Sequence, residues 1–175
     1  MSIAETSVVA LIVFVAALLQ VTLVASFDLA GGAADVLLLT VVALALLRGA
    51  VVGSICGFFG GLLVDVMTLD TLGVSALLYA LVGYWVGRYG ETTGRGRQHA
   101  VVLSVLVATI ATAYAGYGLH FVLGEEVSGR RVLFEALLPA VLLNVLLGTP
   151  VYALCRAALA RTSPPERATE VKLIG

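Results

Sequence analysis

The acidic residues Asp65 and Asp70 are the side chains whose type and spacing come closest to a catalytic pair. Two neighbouring carboxylates can divide acid and base roles in hydrolysis. Inside a membrane, both groups would have to lie at depth and face each other across two helices. We therefore interpret Asp65 as an interfacial carboxylate or a polar anchor for outer loops, and Asp70 as an N-cap of the helix that follows. A small intramembrane hydrolase is the alternative.

The remaining residues with reactive side chains form no recognisable catalytic or ligand-binding motif. His120 lies in an apolar segment near Glu125 and Glu126, and is interpreted as an interfacial residue. Cys56 and Cys155 lie in apolar stretches and are interpreted as small buried hydrophobic residues. We find no Ser/His pair, no HExxH, no phosphate-binding loop and no set of His and Cys with ligand spacing. We therefore expect no enzymatic activity, no cofactor and no metal.

Two uncharged amides, Gln20 and Asn144, interrupt long apolar segments. An amide in a hydrocarbon environment usually forms a hydrogen bond with a neighbouring helix, and such bonds contribute about 0.6–2 kcal/mol. Both residues are therefore predicted to hold helices together rather than to act on a substrate.

Glycines recur every four residues through the third apolar segment, at Gly49, Gly53, Gly57 and Gly61, and Asp65 continues the series. This spacing places them on one narrow face of a helix, where another helix can approach closely. The fourth segment has a matching face, which contains Ala76, Ala80, Gly83 and Gly87. The glycine face is predicted either to pack against a helix of the same chain or to bind the transmembrane helix of a partner.

The segments that carry these residues are unusually apolar. The chain has 175 residues, of which 61% are hydrophobic and 12% charged, with a net charge of −1. A soluble domain has about 25% charged residues. The composition excludes an ordinary soluble domain, a disordered chain and a nucleic-acid-binding protein. It indicates an integral membrane protein with little mass outside the lipid bilayer.

Six apolar segments predict an all-α bundle of six transmembrane helices, which occupies residues 1–160. A tail at residues 161–175 is predicted to be disordered and cytoplasmic. The predicted helices are Val8–Phe27, Val36–Leu47, Gly49–Asp65, Leu72–Val86, Ala100–Leu123 and Val132–Leu159. The second is too short for a comfortable span. In the sixth, Pro139 and Pro150 predict kinks. Arg88 to Arg97 is predicted to be a flexible basic loop.

The basic residues predict the orientation of the bundle. With six spans, eight of the ten Lys and Arg residues lie on one side, and only Arg130 and Arg131 lie opposite. The positive-inside rule makes the first side cytoplasmic, with both termini inside. A five-span alternative would bury Arg48 in the membrane at a cost of about 2.5–3.5 kcal/mol.

The stretch from Asp35 to Arg88 resembles the rod shape-determining MreD family. The resemblance rests on an Asp-led leucine run, an Arg-Gly turn, a Gly-Phe-x-x-Gly-Leu-Leu-x-Asp motif, Leu-Gly-x-x-Ala-Leu and a closing Gly-Tyr-x-x-Gly. In this chain they begin at Asp35, Arg48, Gly57, Leu72 and Gly83. One departure is Ala34, where the family often has Pro.

The resemblance implies a helical bundle similar to the substrate-binding subunits of energy-coupling-factor vitamin transporters. It implies a non-enzymatic scaffold in the bacterial plasma membrane that supports lateral peptidoglycan synthesis and cell shape. Its implied partners are an MreC-like single-span protein, MreB, RodA and a class B penicillin-binding transpeptidase. The alternative is a vitamin-binding transporter subunit, with an outward pocket ringed by Asp65, His120 and Glu135.

Overall fold

A computed structural model of the protein describes residues 3–26, 34–93, 98–124 and 137–161. These ranges contain six α-helices and no strand. The helices are α1 (Ile3–Ser26), α2 (Val36–Arg48), α3 (Ala50–Thr68), α4 (Val74–Thr93), α5 (Gln98–Val122) and α6 (Leu137–Ala160). Helices α1, α3, α5 and α6 are long and apolar enough to cross a membrane. The prediction of an all-helical membrane bundle is confirmed at this level.

The short helix α2 forms the centre of the bundle. Its 13 residues rise about 20 Å, which is less than the thickness of a ~30 Å hydrocarbon core. Every residue from Leu37 to Leu46 is buried, and α2 contacts all five other described helices. A helix that is apolar on all sides belongs in such an interior. The short segment is therefore the core around which the longer helices pack.

Helices α2 and α3 are joined by a single residue, Gly49. Its backbone has φ 95° and ψ −177°, a conformation that is essentially restricted to glycine. The Gly49 N–H donates to the carbonyl of Ala45 at 2.8 Å, which closes the last turn of α2. The first glycine of the series therefore makes a chain reversal, whereas the later glycines allow close packing.

The glycines of α3 lie against the backbone of α4. A Cβ atom added at Gly61 would come within 2.6 Å of the Cα atom of Ala76, and one added at Gly53 within 2.6 Å of the Gly83 carbonyl oxygen. A Cβ atom at Gly57 would collide with the Tyr79 carbonyl. On α4, the same is true of Gly83 against Gly53 and of Gly87 against Ala50. Helix α4 therefore occupies the glycine face of α3.

Helix α4 continues to Thr93, so its predicted end at Val86 is wrong. Tyr89 packs against the core, and the Thr92 hydroxyl donates to the Arg88 carbonyl at 3.1 Å. These contacts keep the charged segment helical. Residues 88–93 of the predicted flexible loop are therefore helical, and residues 94–97 lie outside the described part.

One end of the bundle brings together three chain segments. Arg48, at the end of α2, forms an ion pair with Glu5 in the first turn of α1. Arg88 and Glu91, near the end of α4, form a second ion pair at 3.1 Å. The start of α1, the α2–α3 junction and the end of α4 therefore share one end, as the charge distribution predicts for Arg48 and Arg88.

Helix α6 is continuous through Pro150. Pro139 lies in its first described turn. Neither proline ends the helix. The predicted start of this helix at Val132 and the predicted tail after Arg161 fall outside the described residues.

The backbones of α3 and α4 are so close that adding one methyl group between them should push the two helices apart. We expect Gly57→Ala to lower the free energy of unfolding by about 1–3 kcal/mol, because the new Cβ atom overlaps the Tyr79 backbone. Gly118→Ala is the matched control, since no atom lies within 4 Å of its added Cβ. Thermal unfolding of the purified protein in detergent measures both. Equal effects of the two substitutions would contradict backbone contact at Gly57.

Candidate functional site

The first turn of α2 starts inside the bundle, and its free backbone N–H groups need acceptors. Gln20 of α1 supplies one of them, and this side chain is only 8% exposed. Its Oε1 accepts from the Val36 N–H at 2.7 Å and makes a longer contact of 3.5 Å with the Leu37 N–H. Gln20 therefore connects α1 to the N-terminus of the central helix.

Asn144 of α6 supplies a second acceptor at the same place. Its Oδ1 accepts from the Asp35 N–H at 2.8 Å, and its Nδ2 donates to the Thr109 hydroxyl of α5 at 3.1 Å. The side chain is 1% exposed. One amide thus joins α2, α5 and α6, which is the structural role that the sequence predicts for this residue type.

Asp35 is the N-cap of α2 and the centre of the cluster. Its Oδ1 accepts from the Leu38 N–H at 2.8 Å, and its Oδ2 accepts from the Tyr79 hydroxyl of α4 at 2.7 Å. We call Gln20, Asp35, Tyr79, Thr109 and Asn144 the cap cluster. It draws on every described helix except α3. Sequence reasoning missed Tyr79 and Thr109, while Asp35 before a leucine run carried an N-cap signal that could have been used.

A cavity of about 270 Å³ opens beside the cap cluster, and we call it the Asp35 cavity. Asp35, Tyr79, Thr109, Thr112 and Asn144 provide its polar wall. Ser75 of α4 adds a further hydroxyl, and leucine and alanine side chains from α2, α4, α5 and α6 provide the rest. The predicted outward pocket involved other residues: Asp65 does not line this cavity, the His120 side chain is not described, and Glu135 lies outside the described part.

Asp65 is buried within the protein, which fits a polar anchor for the turn between α3 and α4 better than a carboxylate exposed to water. It is 1% exposed, and its Oδ2 accepts from the Gly73 N–H at 2.8 Å, with a longer contact of 3.5 Å to the Ala76 N–H. Asp65 therefore caps the start of α4. The expected N-cap role of Asp70 is wrong, because its exposed Oδ1 accepts from Thr71 instead.

Glu91 caps the start of α3, as Asp65 caps the start of α4. Its Oε1 accepts from the N–H of Ala50, the first residue of α3, at 2.9 Å. A carboxylate near a helix N-terminus also interacts favourably with the helix dipole. Each of the two helices therefore carries a carboxylate that caps the other, at opposite ends of the pair.

The described residues offer no arrangement for catalysis or metal binding. Asp65 and Asp70 differ in exposure and have separate backbone partners, so they do not form an acid–base pair. Cys56 and Cys155 are buried and free of disulfides. In the same ranges, no three His, Cys, Asp or Glu side chains come together as ligands.

An all-helical bundle whose polar side chains hold its own helix ends, and whose longest helices suit a bilayer, defines a multi-pass membrane protein. The profile of the family described as rod shape-determining protein MreD matches residues 1–158. The chain therefore belongs to the MreD family, as the resemblance predicted, and has the family's role in rod shape determination. Searches of curated proteins and of solved structures found no match.

The cap cluster predicts that removing the Asn144 amide destabilises the bundle. We expect Asn144→Ala to lower the free energy of unfolding by about 1–3 kcal/mol, because the Asp35 N–H loses its acceptor. Ser104→Ala is the matched control: this residue is 5% exposed, and its hydroxyl has no partner among the described residues. Thermal unfolding should separate the two. A Ser104→Ala protein as unstable as Asn144→Ala would contradict the capping role.

Asp65 is predicted to act as a hydrogen-bond acceptor rather than as an acid or base. Asp65→Asn keeps an acceptor oxygen for Gly73, whereas Asp65→Ala removes it. We expect the alanine protein to be less stable than the asparagine protein by about 0.5–2 kcal/mol. Unfolding midpoints of the two variants check this order. The reverse order would contradict an acceptor role, because both variants lack the charge and only asparagine keeps the oxygen.

Proposed function

We propose that the protein is a non-enzymatic membrane scaffold of the bacterial cell-elongation complex. In this role it supports lateral peptidoglycan synthesis through transmembrane contacts with an MreC-like single-span protein. Through that complex it is associated with MreB, RodA and a class B penicillin-binding transpeptidase. The family's role in rod shape determination supports this proposal.

The observation that carries the proposal is how the polar side chains and glycines are used. Backbone groups of the same chain bind Gln20, Asp35 and Asn144 of the cap cluster, as well as Asp65 and Glu91. The glycine face of α3 is filled by α4. The outer faces present large apolar side chains, among them Phe14, Phe58, Trp85 and Leu146. Such a surface suits contact with lipid and with the helices of membrane partners.

The proposed location is the plasma membrane, with six crossings and both termini in the cytoplasm. The shared end of Glu5, Arg48 and Arg88 supports it, since basic residues favour the cytoplasmic side. Helix α2 would cross only the interior of the bundle, where its length is no obstacle because the surrounding helices shield it from lipid. The orientation can be tested in intact cells by placing a cysteine at each end of the bundle and measuring which one a membrane-impermeant reagent labels.

Which helix contacts the partner protein is tested best with residues on the outer faces of the bundle. Replacing Gly53 or Gly57 would disrupt the bundle itself, so loss of binding there would be uninformative. A photo-crosslinking residue at Phe14, Phe58 or Leu146 samples α1, α3 and α6 separately, and each of these positions is at least 45% exposed.

We expect crosslinks to an MreC-like protein from one helix face and not from the others. Buried Val105 on α5, which is 1% exposed, serves as the negative control. In cells that lack their own family member, the protein should restore rod shape, and Asp65→Asn should restore it as well. Failure of a stably folded Asp65→Asn protein, together with a hydrolytic activity that the substitution abolishes, would favour a hydrolase.

The second candidate is a vitamin-binding subunit of an energy-coupling-factor transporter. The polar wall of the Asp35 cavity is the observation in its favour. The sequence-based version placed Asp65 in the pocket, but that carboxylate is committed to the start of α4. Tight binding of any vitamin by the purified protein, measured by calorimetry, would support a transporter subunit over a scaffold.

A further inference from the structure

Three neighbouring cavities of the bundle share lining residues along α4 and α5. The Asp35 cavity shares Leu78 and Thr112 with a second cavity of about 330 Å³. The second shares Trp85, Val86 and Val107 with a third of about 310 Å³. We call the second and third cavities together the α4–α5 groove. It extends along α4 from Leu78 to Tyr89, which is about 16 Å at 1.5 Å per residue.

The α4–α5 groove is apolar and open at the side. Alanines of α5, including Ala108 and Ala111, leave room along its floor. The residues at its edges are well exposed: Leu81 is 48%, Val107 56% and Trp85 68% exposed. A chain of hydrocarbon in the surrounding membrane could therefore enter sideways. The groove is about half as long as a ~30 Å hydrocarbon core is thick.

The Asp35 cavity gives the groove a polar and acidic end. The Asp35 carboxylate binds the Leu38 N–H and the Tyr79 hydroxyl, and forms no ion pair with any described basic side chain. The described ion pairs involve Arg48 and Arg88, at the other end of α2 and α4. A carboxylate with unused lone pairs beside a cavity favours a ligand that carries a positive charge and N–H donors.

We propose that this site binds one phospholipid with a primary-ammonium head group. The ammonium lies in the Asp35 cavity near the carboxylate, and one acyl chain lies along the α4–α5 groove. The cavity volume of about 270 Å³ corresponds to roughly nine water molecules, which suits a small head group. A cavity with a carboxyl group in its polar wall, next to a narrow apolar groove, is complementary to such an amphiphile.

A partner helix fits this site less well than an acyl chain. Helices α4 and α5 contact each other directly, so the groove between them is a crevice rather than a gap. A transmembrane helix has a diameter of about 10–12 Å with its side chains and would have to separate them. A small polar solute would fill the Asp35 cavity and leave the apolar groove empty.

Native mass spectrometry of the full-length protein tests the proposal. The protein is reconstituted in nanodiscs with equal amounts of phosphatidylethanolamine, phosphatidylcholine and phosphatidylglycerol, then released in mild detergent. We expect one bound phosphatidylethanolamine, retained about tenfold over phosphatidylcholine, because a trimethylammonium group cannot donate a hydrogen bond to Asp35. A vitamin panel added to the same sample checks for a competing small ligand.

Two sets of variants test the groove and the head-group site independently. Val107→Trp fills the groove, and Val102→Trp is its control, an exposed valine on the same helix outside the three cavities. We expect several-fold less bound lipid in Val107→Trp only. Asp35→Asn keeps an N-cap acceptor, since asparagine caps helices as well as aspartate, and should abolish the preference for ethanolamine over choline.

Several results would overturn the proposal. These are equal retention of the three lipids by the unchanged protein, equal loss of lipid in both tryptophan variants, and displacement of the lipid by a vitamin. Thermal unfolding of each variant shows whether it is folded, and Val107→Trp remains decisive if Asp35→Asn is not. Because lipid binding is measured without partners, failure here leaves the proposed scaffold function unaffected.

Discussion

The bundle depends on one constraint: a helix that begins inside a membrane protein must find acceptors for its first backbone N–H groups. The start of α2 lies inside the bundle, away from bulk water, and each unsatisfied group there would cost several kcal/mol. Gln20, Asp35 and Asn144 accept these hydrogen bonds instead. Because Gln20 and Asn144 come from α1 and α6, satisfying α2 also fixes where those two helices lie.

The pair formed by α3 and α4 solves a different problem. Lipid gives two apolar helices no hydrophobic reason to associate, so close packing and polar contacts must hold them together. Gly57 and Gly61 let the two backbones touch, while Asp65 and Glu91 fasten the pair at its two ends. The arrangement fixes both the distance between the helices and their register, since a shift by one turn would move each carboxylate away from its partner.

Sequence patterns predicted the features that depend on residue spacing along the chain. They did not predict which polar side chains are buried between helices. The order of the six helices and the small-residue face at Gly53 and Gly57 follow from runs and periods along the chain. Burial of Asp65 does not, because a carboxylate beside an apolar run has the same sequence whether it faces water or a neighbouring helix. Helix α4 was predicted to end early because Arg88 and Glu91 resemble loop residues, although Glu91 has a partner across the bundle.

The hydrogen bond between the Asp35 N–H and Asn144 has a consequence for biogenesis. The two residues are 109 positions apart, and Asn144 belongs to the last of the described helices in chain order. Until α6 has been inserted, the start of α2 lacks one of its acceptors, however well the first five helices have assembled. Capping of the central helix thus requires α6, and a product truncated before α6 leaves the Asp35 N–H without this acceptor.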